Sequence, residues 1–104
     1  MATIGQSFTA GEWLVKEGKA RDFIQAWAGF AAWCYRNGWG AEPPSLLQDA
    51  AQPRRFVSFG AWDDADQVRA WRELPEFKQF LARAQELCEE IRPGTFTLAA
   101  RPGG

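Results

Sequence analysis

The segment Arg54–Trp62 reads RRFVSFGAW, and no other stretch restricts the fold as strongly. As a strand it places Phe56, Ser58, Gly60 and Trp62 on one side and Val57, Phe59 and Ala61 on the other, because side chains alternate along extended backbone. Past the opening arginines neither side carries a charge. A strand apolar on both sides belongs in a sheet that is covered on both faces. A single helical layer does not supply that cover.

The rest of the chain defines the partners of this strand. Ser7–Val15 (SFTAGEWLV) mixes Phe, Thr, Trp and Val and stops at the turn signal Lys16-Glu17-Gly18, which predicts a first strand. From Lys19 to Asn37, the residues Phe23, Trp27, Phe30 and Cys34 recur at spacings of four, three and four, one face of a helix that Gly38 stops. Two prolines in Trp39–Pro44 (WGAEPP) block any helix, and Ser45–Asp49 (SLLQD) is a short second strand. After Arg54–Trp62, Asp63 or Asp64 caps a second helix whose dipole favours carboxylates at that end, and Pro75 divides it into a short and a longer piece. Phe77, Phe80, Leu81, Ala84, Leu87, Cys88 and Ile91 trace one stripe of the longer piece. Pro93-Gly94 is expected to end that helix, Thr95–Ala100 (TFTLAA) to form the last strand, and residues 101–104 to fray.

The order strand, helix, strand, strand, helix, strand predicts an α+β fold of the ferredoxin-like βαββαβ type, a four-stranded antiparallel sheet with its helices on one face. A chain of 104 residues is expected to be one domain, near the size at which surface limits stability. The cheapest cover for the second sheet face is the same face of another copy, so a homodimer is expected.

Composition removes several function classes. A net charge of -1 provides no field to draw a polyanion or an anionic membrane, so neither nucleic acid nor membrane is an expected partner. No apolar run approaches the roughly 20 residues of a membrane span, and MATIGQ lacks a secretory signature, which together predict a cytoplasmic protein. Cys34 and Cys88 lack the close spacing of a metal knuckle or redox motif and read as buried thiols. The chain has no histidine. Self-contained Ser-His-Asp relays, two-histidine zinc sites and histidine-ligated haem are thereby excluded, because each needs an imidazole. No metal site is expected.

The runs GEWLVKEGKARDFIQAW, RFVSFGAW, AWDDADQVRAWRELPEF and TFTLAA, in that order, resemble the antibiotic biosynthesis monooxygenase family of dimeric α/β barrels. The resemblance implies an oxygenase without a cofactor, acting on phenols, anthrones or quinols whose own anion passes an electron to dioxygen. The protein then supplies a dry cavity, orientation and a proton acceptor. It also implies a functional role for Trp62, at the end of the third strand. The haem-degrading branch of the superfamily is similar as well, but uses an asparagine, a tryptophan and a histidine where this chain reads Gly11, Trp62 and Trp71. Replacement of the iron ligand by an indole argues against haem chemistry.

Each candidate has a functional and a plainer reading. Trp62 and Trp71 either wall an aromatic pocket or fill a core; Trp13 belongs with them. Glu12 is the candidate base if it faces a dry cavity, and an ordinary surface carboxylate if it faces solvent. Tyr35, Asn37 and Trp39 cluster at the end of the first helix, where they orient a ligand oxygen or simply cap and pack. Arg72 stabilises an enolate or phenolate, or else pairs with Glu76. Ser58 shares a strand face with Trp62 and is its only polar handle. Two function classes remain: a cofactor-independent monooxygenase, with Trp62, Glu12, Asn37 and Arg72 in the chemistry, and a non-catalytic dimeric module that binds or responds to a small aromatic molecule. An isomerase or cyclase working by proton transfer is the third.

Overall fold

Strand alternation decides the layers of this protein. In the computed structural model, which describes residues 3–103, β1 (Ser7–Val15) is central, flanked by β3 (Arg55–Trp62) and β4 (Cys88–Thr97). β2 (Ser45–Gln48) pairs with the far side of β3, giving the antiparallel order β2-β3-β1-β4. Three helices, α1 (Ala20–Arg36), α2 (Ala65–Arg72) and α3 (Pro75–Leu87), complete the ferredoxin-like arrangement, with Pro75 at the start of α3.

The pairs Gly11 with Ser58 and Trp13 with Phe56 put these residues, together with Val15 and Trp62, on the helix-facing side. There Trp13, Val15, Phe23, Phe56, Ala84, Leu87 and Cys88 form the buried core. Phe23 of α1 is fully buried, its ring 5.3 Å from those of both Trp13 and Phe56. Burial of one such side chain contributes about 1.5–3 kcal/mol, so this trio anchors α1 to the sheet.

The other side of the sheet carries Phe8, Ala10, Val57, Phe59, Leu47 and Phe96, and no helix among the described residues covers it. Leu47, Phe59 and Phe96 are 54%, 41% and 56% exposed. The doubly apolar β3 is thus satisfied on one face only.

The structure corrects the end of the chain. The helical stripe expected through Ile91 stops at Leu87, and β4 runs over Cys88–Thr97 instead of 95–100. A bulge explains the misreading. Val15 pairs with Cys88 and Trp13 with Ile91, with one extra residue of β4 at the register shift. Two residues spaced three apart therefore share a sheet face and imitate a helical period. Nor does Pro93-Gly94 end an element: β4 is an edge strand, where a residue without an N–H is tolerated. The Phe96 ring lies over Gly94, where a Cβ would come within 2.8 Å of it.

Candidate active site

The junction after β3 is built by its own residues. β3 ends on Trp62, and Asp64, in extended conformation, accepts a hydrogen bond from the Asp66 amide at 2.7 Å, which starts α2 at Ala65. One helical spacing separates buried Val68 from Trp71, so the same face of α2 that packs inward swings Trp71 back over Trp62. The two indoles meet at 5.0 Å between ring centroids, tilted by 54°.

These indoles form part of the wall of a cavity of about 100 Å³ between the sheet and the helices. Phe30 of α1 stacks on Phe80 of α3 at 4.7 Å and 6°, and Phe77 meets Trp71 edge-on at 4.6 Å. Trp39 and Glu42, from the loop after α1, complete the lining, and Glu42 is exposed at the solvent end.

The polar groups in this aromatic shell are few and are mostly tied to indoles. Trp13 Nε1 donates to Ser58 Oγ at 3.0 Å, and Trp62 Nε1 donates to Thr9 Oγ1 at 2.9 Å. Trp71 Nε1 donates to Cys34 Sγ at 3.2 Å. Burial pushes the Cys34 thiol above its ordinary pKa, an effect the Trp71 bond partly offsets. Arg72 lines the cavity half-buried, and among the described residues it makes no ion pair, with Glu76 or any other carboxylate.

Of the residues singled out from sequence, Trp13, Trp39, Ser58, Trp62, Trp71 and Arg72 converge on this cavity. Three do not. Glu12 alternates with Gly11 and Trp13 and so points to the opposite sheet face, where it accepts from Arg55 at 2.8 Å and is exposed. Asn37 is exposed at the C-cap of α1 and spends its side-chain amide on the Trp33 carbonyl at 2.7 Å. Tyr35 is 47% exposed on the outer side of α1 and does not line the cavity.

Sequence reasoning also passes over residues that matter here. Thr9 lies two before Gly11 on the same strand face, so the period of two that places Trp13 finds it as well. Cys34 lies on the predicted inward stripe of α1, yet only the approach of Trp71 gives its sulfur a polar partner. Phe30 and Phe80 belong to helical stripes read as core, and only the packing shows that they face a void.

Residues 9–83 match the family model described as antibiotic biosynthesis monooxygenase. Among solved structures, SnoaB from Streptomyces nogalater, a cofactor-independent oxygenase, is similar with a TM-score of 0.84 and 20% identity, over 96% of this chain and 99% of that one. A protein from Shewanella oneidensis gives 0.79 at 21% identity, over 92% and 93%. A conserved protein from Methanosarcina mazei Go1 gives 0.81 at 13% identity, over 90% and 93%. No curated protein matches. At such identities the solved structures speak to the fold alone, whereas the family model spans most of the chain, including the junction and every residue of the cavity lining except Pro93; the chain belongs to the antibiotic biosynthesis monooxygenase family.

Proposed function

We propose that the protein is a monooxygenase that needs no cofactor and oxidises a small phenol or quinol with dioxygen in the Trp62 cavity. The observation that carries this reading is a half-buried Arg72, without an ion pair among the described residues, in a cavity wall of aromatic rings that includes Trp62 and Trp71. A cation in an apolar wall favours an anionic ligand, and indole and phenyl faces favour a flat one.

Size narrows the substrate. A cavity of about 150 Å³ takes a benzene ring, and drug-sized pockets run to about 300 Å³ and more, so the roughly 100 Å³ here argues against an anthrone's three rings, and even a single ring extends to the solvent end of the cavity. In the reaction, the phenolate passes one electron to dioxygen, and the substrate radical and superoxide combine at a ring carbon. The resulting hydroperoxide loses water and leaves a quinone. One oxygen atom is thereby retained and the other leaves as water. Trp62 and Trp71 orient the ring and exclude solvent, while Arg72 lowers the energy of the anion.

With Glu12 on the far sheet face, the expectation that it serves as a carboxylate base in the cavity is withdrawn, and among the described residues Glu42 is the only carboxylate in the lining. The phenolic proton leaves to solvent as the ligand enters. This point also favours the second reading, a ligand-binding or regulatory module with no turnover. In either case we place the open sheet face against a second copy of the chain, as a homodimer.

Dioxygen uptake by metal-free and flavin-free protein, offered catechols, naphthoquinols and anthrones, separates the two readings. Uptake above the uncatalysed rate is expected for the smaller rings, falling about a hundredfold in Arg72→Gln and also in Trp62→Phe, with Glu12→Gln unchanged. Binding of these compounds without any uptake would replace the oxygenase by the module.

A further inference from the structure

On the cavity floor two hydroxyls lie on neighbouring strands. Thr9 pairs with Gly60 and Gly11 pairs with Ser58, so Thr9 and Ser58 sit on a diagonal and the two glycines on the other. Such diagonal positions are about 7–8 Å apart at Cα, within reach of one small ring and its substituents. Each hydroxyl already receives an indole N–H, Ser58 from Trp13 and Thr9 from Trp62. Among the described residues neither hydroxyl donates to any protein acceptor, although Ser58 is only 8% exposed.

The consequence lies in hydrogen-bond arithmetic. A hydroxyl has one hydrogen to give, and accepting from a buried donor polarises it and strengthens what it gives. The hydrogens of Ser58 and Thr9 have the cavity to point into. The packing leaves the Trp13 indole little room to move: a Cβ on Gly11 would stand 3.0 Å from it, so a larger residue there would push the ring from the position in which it lies across the strand and reaches Ser58.

We propose that Ser58 and Thr9, each held by an indole, form a pair of hydrogen-bond donors that select the ligand as an oxyanion or ketone over the neutral phenol. The inference rests on the cavity being a site for small aromatic molecules, as proposed above, and not on the oxidation. Arg72 supplies the long-range attraction, and the hydroxyls supply the short-range choice of oxygen. The pair also accepts the quinone product, whose oxygens are acceptors only.

The test uses 4-nitrophenol, whose visible absorbance reports its ionisation, and 4-nitroanisole, its counterpart without an ionisable proton. Bound 4-nitrophenol is expected to ionise about one pH unit below the free compound, the equivalent of tenfold tighter binding of the anion. Thr9→Val and Ser58→Ala should each remove part of that shift, and what they remove should persist at high salt, whereas the part removed by Arg72→Gln should be screened. Ser58→Ala leaves the Trp13 N–H without an acceptor, so the double substitution Trp13→Phe with Ser58→Ala serves where the single one unfolds. Ionisation of bound 4-nitrophenol at its ordinary pH, or a shift left undiminished by both hydroxyl substitutions, overturns the donor pair while leaving the cavity as a ligand site. Failure of both compounds to bind, read from unchanged tryptophan emission, overturns the ligand site itself and the donor pair with it.

Discussion

Cys88 stands where α3 gives way to β4, its thiol buried in the core beneath the sheet. Desolvation raises its pKa from 9.0 to about 11, with the charge of Lys16 opposing slightly. The folded state therefore holds a proton that the unfolded state releases first. Its contribution to stability is full below about pH 9 and is lost as pH rises towards about 11. Urea midpoints measured from pH 8 upwards should fall across that window, and the fall should be smaller in Cys88→Ala. A fall of equal size in both proteins would place the titrating group elsewhere. At this scale the sequence was a partial guide to the site. Trp62, Trp71 and Ser58 were legible because a strand's period of two and a helix's inward face are local properties. Glu12 was not, because its role depends on which face of β1 the helices cover, and alternation sends Glu12 away from Gly11 and Trp13. Asn37 and Tyr35 follow a helix end that turns outward.

At the scale of elements, α2 is the part on which the cavity most depends, since it is eight residues long and carries Trp71 near its C-terminal end. A helix so short has little stability of its own, and its cap weighs accordingly. Asp64→Ala removes the acceptor of the Asp66 amide and should cost about 1 kcal/mol. For a chain of this size that is a fall of about 4–8 °C in Tm, measurable by circular dichroism. Asp63→Ala should have far less effect, because Asp64 is the residue whose side chain caps the helix. The boundary between α3 and β4 shows the opposite case. Cys88 and Ile91 keep helical spacing, and only pairing with β1 across a bulge turns that spacing into a strand face. Pro93-Gly94 misleads in the same way, since an edge position tolerates both residues and their neighbours alone do not reveal it.

For the whole molecule the unresolved demand is the open sheet face. Phe59, Leu47 and Phe96 stand exposed on it, and the described helices, none of them long and apolar enough to cross a membrane, all pack on the other side. Sedimentation of the wild type should give twice the chain mass of 11.7 kDa, and Phe59→Glu, which sets a charge in the middle of that face, should give the single mass. A wild type that sediments as one chain would leave the face in need of a different cover.

The sequence alone determined what depends on near neighbours: the strands and helices up to Leu87, the stop at Gly38 and the acidic cap before α2. It also determined the antiparallel α+β order, because short connections leave few alternatives. Tertiary structure decided what depends on partners distant along the chain. It turned residues 88–97 into an edge strand by pairing them with β1, and it set Glu12 outside and Thr9 inside by choosing which face of β1 the helices cover. It also tied each of three indoles to a different acceptor, Ser58, Thr9 and Cys34. Those bonds join residues 37 to 53 positions apart, and no local period encodes which acceptor a given indole will reach.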